Sequence, residues 1–197
     1  MSAFQAAGAP RAVLADVIPG ARVRDAVLIL SGALLTALFA QISINVPGSP
    51  VPVTGQTLAV GLVGATLGLR RGMASLTLYA VLGLFLPFYA DGSSGWHVVW
   101  GASGGYIIGF IFAAGFIGWM AEHGADRSIV LAFLAFVGGQ LLIFAFGLVG
   151  LKLAVDQPWG WTIHNGFTIF ILGGIIKAVI GAIALPSAWS LVRRYER

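Results

Sequence analysis

The feature that most constrains this chain is where its charges are missing. Residues 26–69 contain no Asp, Glu, Lys or Arg, and further uncharged runs cover 72–90, 92–121, 128–151, 157–176 and 178–192. A helix needs about 20 mostly apolar residues to cross roughly 30 Å of hydrocarbon, and several of these runs supply that length. A membrane barrel would alternate polar and apolar residues in segments of about ten; Ile107–Phe112 and Leu141–Phe146 do not alternate. The runs therefore read as α-helices in a bilayer. Composition agrees, with 58% of the 197 residues hydrophobic and 9% charged, against about a quarter charged in an ordinary soluble domain. The 11 basic and 7 acidic residues cannot cover a soluble globule of this size. A soluble enzyme and a nucleic-acid binder are thereby excluded, despite the basic balance.

Breakers divide the runs into an all-α integral membrane protein of six transmembrane helices. The expected spans are Ala26–Ile44, Thr54–Leu69, Gly72–Tyr89, Gly104–Glu122, Ser128–Val155 and Asn165–Val192. Asn45-Val-Pro-Gly-Ser-Pro ends the first, and Pro87 lies near the end of the third. Arg11, Arg22, Arg24, Arg70, Arg71, Arg127, Arg193, Arg194 and Arg197 then all fall on one side, which the positive-inside rule makes cytoplasmic. Both termini are expected there. The domain reading is a cytoplasmic segment 1–25, a transmembrane binding domain 26–192 and a basic tail 193–197. The first 25 residues lack the continuous apolar core of a signal peptide. Trp96, Trp100, Trp159 and Trp161 are expected in an outer aromatic belt, with Trp119 and Trp189 in an inner one.

The absence of cysteine excludes disulfides and thiolate chemistry. The 3 histidines are dispersed and lack paired acids, so no metal site is expected. No P-loop occurs, so ATP-driven work would need a partner. Gly64-x-x-x-Gly68-x-x-x-Gly72 and Gly105-x-x-x-Gly109-x-x-x-Ala113 read as small-residue ridges for helix packing. Ala33-x-x-x-Ala37 on the first span is a related stripe, either internal or an outward docking face.

Lys177 is the most informative single residue. It stands in the middle third of the last span, where a charge costs about 2.5–3.5 kcal/mol by insertion scales. Gly173, Gly174 and Gly181 lie one turn away and leave space around the amine, and no acid lies inside a span to pair with it. Lys177 is therefore expected to meet a polar ligand. Other polar residues converge near the outer helix ends: Thr54-Gly-Gln56-Thr57, then Asp91-Gly-Ser93-Ser94, then Gly101-Ala-Ser103-Gly-Gly-Tyr106. A buried Gln amide both donates and accepts, which suits a ring amide or ureido group. Tyr106 fits either a ligand site or the interface belt. Gly101-Ala-Ser103-Gly also matches the Gly-x-Ser-Gly of rhomboid-type intramembrane serine proteases. His97 or His164 would then be the base, but both fall at outer boundaries. The other rhomboid features are missing.

The segment Pro50-Val-Pro-Val-Thr-Gly-Gln-Thr-Leu-Ala-Val-Gly-Leu-Val-Gly-Ala-Thr-Leu-Gly-Leu-Arg-Arg-Gly resembles the second-helix hallmark of the BioY family. These are the biotin-binding S components of energy-coupling factor (ECF) transporters. Gly83-Leu-Phe-Leu-Pro-Phe, Gly101-Ala-Ser-Gly-Gly-Tyr-Ile-Ile-Gly-Phe and Phe170-Ile-Leu-Gly-Gly-Ile-Ile-Lys177 are similar to its later motifs, in order. The resemblance implies a six-helix S-component fold with a biotin pocket near the outer face, and a multi-pass protein of the cytoplasmic membrane. It carries no cofactor of its own and no catalytic residue. Its expected partners are a transmembrane coupling protein and cytoplasmic ATPases, which alone use ATP. Gln56 and Lys177 match ligand-facing positions; Ser103 and Tyr106 belong to the Gly-Gly-Tyr motif, and Asp91 and Ser93 to the polar loop before it. Ala33 and Ala37 match the surface that docks on the coupling protein. Two departures stand out. The acid usual three residues before the lysine is Gly174, and the residue after Tyr106, basic in some members, is Ile107. Asp91, Ser93 or Asn165 are expected to supply the missing polar contacts.

Overall fold

The structure is a computed structural model that describes residues 13–17 and 22–195. Arg11, Arg197 and most of the expected N-terminal segment lie outside the described residues. The uncharged runs form helices: α1 (Arg22–Ala40), α2 (Gln56–Leu82), α3 (Trp96–Val99), α4 (Gly104–Glu122), α5 (Ile129–Val155), α6 (Trp159–Gly166) and α7 (Ile171–Tyr195). Between α1 and α2 lies a two-residue antiparallel pair, β1 (Ser43–Ile44) and β2 (Val53–Thr54). Four helical stretches are long and apolar enough to cross a membrane: Arg22–Ala40, Gly104–Glu122, Ile129–Val155 and Trp159–Arg194.

Helix α2 is folded back on itself. Gly68 has φ 82° and ψ 179°, a backbone region that only glycine enters without strain. In a straight helix Gly64 and Gly72 would stand about 12 Å apart. Here a methyl group built on Gly72 would sit 3.2 Å from the Gly64 Cα, and Gln56 Nε2 donates to the Tyr79 hydroxyl at 2.5 Å. The arms 56–67 and 69–82 thus correspond to the expected second and third spans. The second arm stops at Leu82, and 83–89 is loop. Glu122 Oε1 accepts from the Leu69 amide at 2.9 Å, satisfying a donor that the reversal leaves open at the start of the second arm. Gly68 therefore makes the turn, while Gly64 and Gly72 make the ridge against Ala114 of α4.

The last span is also interrupted. Phe167 leaves helical geometry with φ −134° and ψ −57°, separating α6 from a short 3-10 turn, Thr168–Phe170, and then α7. This places Asn165 on a separate short helix and not at the start of the long one.

Small residues set the packing, as expected where lipid removes most of the hydrophobic drive between helices. Gly105 and Gly109 of α4 lie against the backbone of Phe146 and Ile143 in α5. The Phe136 ring of α5 fills the space between Gly61 and Gly181, and a methyl group on either glycine would overlap it. Ala33 and Ala37 are 0% and 6% exposed, which corrects their expected role as a docking stripe. The neighbouring Gly32 approaches Ser75 and Val63 of α2 so closely that this face of α1 is consumed by packing within the chain. The outward face of α1 is Val27, Leu30, Leu34 and Leu38.

Charges gather at the end where α2 reverses. Arg71 pairs with Asp16 at 2.6 Å and with Asp25 at 3.3 Å. The Arg127 guanidinium lies 4.4 Å from the Trp189 ring centroid, and the Trp189 indole donates to Asp126. Trp189 is 7% exposed, so it braces this end from inside and does not join a belt. Trp96, Trp100, Trp119 and Trp159 are exposed.

Candidate functional site

A cavity of about 320 Å³ opens at the start of α2, a full arm away from Gly68. That is within the range of small-molecule sites. Its walls come from the loop 45–52, the starts of α2 and α4 with the loop before α4, the middle of α5 and the N-terminal half of α7. Gln56, Asp91, Ser93, Ser103, Tyr106 and Lys177 all line it. Residues remote in sequence therefore meet around one space.

Lys177 Nζ donates to the Thr54 carbonyl at 2.5 Å and to the Thr57 hydroxyl at 3.0 Å. An ammonium carries three donors, so one is left for a molecule in the cavity. The Thr54 carbonyl is available because β2 ends there and α2 starts at Gln56. Gln56 is more committed than its sequence suggests. Its Oε1 accepts from Thr54 Oγ1 at 2.8 Å, and its Nε2 donates to the buried Tyr79 hydroxyl. One amide hydrogen remains for a ligand.

Tyr106 is 6% exposed, which takes it out of an interface belt. It is an internal wall residue whose hydroxyl donates to the Gly166 carbonyl at 2.7 Å. Its ring packs near Phe144 and Phe170, with centroids 6.5 and 6.3 Å away. These rings and Phe110 make one side of the cavity apolar. The rim is polar. Asp91 adopts φ 56° and accepts from Asn45 Nδ2 at 3.4 Å; Ser93 Oγ donates to the Ala90 carbonyl at 2.7 Å. Ser103 sits at the start of α4 beside the cavity. Among the described residues, no hydrogen bond joins it to His97 or His164.

The loop 45–52 is pinned across the site at both ends. Its feet pair as β1 and β2. Its tip is held where the Ser49 hydroxyl, shared with the Val51 carbonyl, lies 2.9 Å from the Asn165 carbonyl oxygen on α6. Asn165 thus contributes its backbone to the site's closure, and its amide donates to the Trp161 carbonyl at 3.0 Å.

Gln140 was missed. It lines the cavity from α5, is 9% exposed, and donates through Nε2 to the Gly174 carbonyl at 2.8 Å. A methyl group at position 174 would collide with Gln140 Oε1, so this amide occupies the space that a side chain there would fill. The signal was in the sequence. From Ile129 to Leu151 Gln140 is the single hydrophilic side chain in an otherwise apolar run.

The fold is shared with a solved S component. The crystal structure at 2.1 Å of the S-component for biotin from an ECF-type ABC transporter superposes with a TM-score of 0.77 at 21% identity, covering 85% of this chain and 92% of that one. The chain belongs to the BioY family, whose family model matches residues 11–194. It is 35% identical over 172 residues to the biotin transporter BioY2 of Lactococcus lactis subsp. cremoris, spanning 85% of this chain and 93% of that protein. The biotin transporter BioY of Thermotoga maritima is 33% identical over 157 residues, 79% of this chain and 91% of its own length.

Proposed function

We propose that this protein captures biotin from outside the cell and serves as the substrate-specific component of an ECF-type biotin transporter in the cytoplasmic membrane. The observation that carries the reading is the cavity itself. One half is aromatic and apolar, and the other offers the spare donor of Lys177 with the Gln56 and Gln140 amides. Biotin has both characters, with an apolar thioether ring and chain and polar ureido and carboxylate groups at its two ends. The relatives' names as biotin transporters support the same assignment.

In this reading the two arms of α2 join the four long apolar stretches to give six spans. The arginine-rich end faces the cytoplasm, in keeping with the positive-inside rule, and both termini lie there. The cavity then opens outward, and the loop 45–52 is its lid. Gln56, Ser103, Tyr106 and Lys177 contact biotin, with Asp91 and Ser93 at the entrance. ATP is used by separate cytoplasmic subunits acting through a transmembrane coupling protein. The role is capture, with no bond made or broken here.

Titration of the detergent-purified protein with biotin, followed by tryptophan fluorescence or calorimetry, tests the proposal. Saturation at nanomolar biotin is the expected result. No binding, together with cleavage of a membrane substrate that Ser103→Ala abolishes, would favour the protease instead.

A further inference from the structure

We infer that Gln140 is a specificity-determining residue that reads the ureido N–H of biotin; the inference rests on the biotin reading above. The Gln140 amide is oriented by chemistry. Only its nitrogen can donate to the Gly174 carbonyl, so Oε1 is fixed as the other terminal atom, and it lies where a side chain at position 174 would begin. Among the described residues Oε1 accepts no hydrogen bond, and Gln140 and Gly174 both line the cavity. Oε1 is not among the fully buried unpaired atoms, so it stays accessible as an acceptor, and an occupant with an N–H can bond to it. In biotin the two ureido nitrogens bear the only N–H groups, and the carboxyl group, ionised at neutral pH, offers no donor. The ring end of biotin therefore belongs beside Gln140.

Position 174 makes this possible. The carbonyl that orients the amide and the missing side chain that admits it belong to the same residue. Gly174 also lies three residues before Lys177, on one face of α7. A cation donor and a fixed neutral acceptor thus border the same part of the cavity. A ureido group, with its carbonyl flanked by N–H groups, has the complementary pattern.

Full-length protein in detergent is titrated with biotin and with each of the two biotins methylated at one ureido nitrogen. Wild type is expected to bind at least one methylated biotin about tenfold more weakly than biotin. Gln140→Ala is expected to raise the biotin Kd about three- to tenfold, the span of one neutral hydrogen bond, and to shrink that discrimination. Gly174→Ala, which pushes the Gln140 tip aside, should weaken binding alone and add nothing to Gln140→Ala. Equal binding of biotin and both methylated forms by wild type overturns the inference, and that arm needs no variant to fold. An unchanged biotin Kd in monodisperse Gln140→Ala also overturns it while leaving the biotin reading intact. Failure of wild type to bind biotin at all removes both.

Discussion

Lys177 of α7 donates to the backbone carbonyl of Thr54, 123 positions earlier in the chain, at 2.5 Å. One amine thereby joins the last long helix to the foot of the loop that covers the cavity. A charge this deep is costly unless hydrogen-bonded, and the carbonyl with the Thr57 hydroxyl supplies two of its three bonds.

Lys177→Ala should weaken biotin binding by at least tenfold, because a charged hydrogen bond in a dry site contributes about 1.5–3 kcal/mol. Calorimetric titration checks this. Unchanged affinity in a monodisperse variant would remove Lys177 from the contact set.

The lid tip hangs on the Ser49 hydroxyl. Ser49→Ala should speed biotin release about threefold to tenfold, the value of one neutral hydrogen bond, while the association rate changes little. Stopped-flow tryptophan fluorescence separates the two rates. A change confined to association would mean that the loop does not act as a lid.

Phe136 is held between two glycines of different helices. Gly61→Ala and Gly181→Ala should each destabilise the fold by about 1–3 kcal/mol, the usual cost of overpacking. Phe136→Leu should recover part of the loss in either background. Thermal unfolding in detergent measures both effects.

Gly68 reverses α2 at a positive φ, with Glu122 bonded to the next amide. Gly68→Ala should cost about 1–3 kcal/mol of stability through the backbone alone. Glu122→Ala should lower the unfolding temperature while leaving biotin affinity unaltered, since the cavity lies at the other end of the arm. A loss of affinity without a loss of stability would contradict this separation.

Asp126, in the turn between α4 and α5, is 1% exposed, and its Oδ1 has no hydrogen-bond partner among the described residues. Burial holds its pKa above the ordinary 3.8, opposed by the Trp189 indole and the Arg127 charge. The folded state therefore binds this proton more tightly than the unfolded chain. Its contribution to stability is full below the ordinary value and is lost as pH rises through the raised one. Asp126→Asn keeps an acceptor for Trp189 but does not ionise. At neutral pH the variant should unfold at a higher temperature than wild type, with the gap closing below pH 4. A gap that persists in acid would show that ionisation is not its source.

Much of this was legible because lipid leaves few options. Uncharged runs of spanning length must be helical, and the long helices lie close to where the runs predict them. The polar residues lining the cavity were found because they interrupt apolar segments. Three features escaped. The inward turn of Ala33 and Ala37 depends on which face of α1 meets Ser75 and Val63, and a small-residue stripe suits either face. The break at Phe167 directly follows Asn165-Gly166, a turn-forming pair that the reading of one continuous span passed over. Gln140 takes its meaning from Gly174, a pairing between helices that no single segment reveals.

Two of the ties that hold the lid end on main-chain oxygens, at Asn165 and Thr54. Every residue has such an oxygen. Substitutions at these two acceptor positions, and along the underside of the lid, can therefore accumulate without loss of the tie itself. The acceptor positions of the closure can thus drift while its donors, Ser49 and Lys177, are held, and through Lys177 a change of cargo would also touch the door.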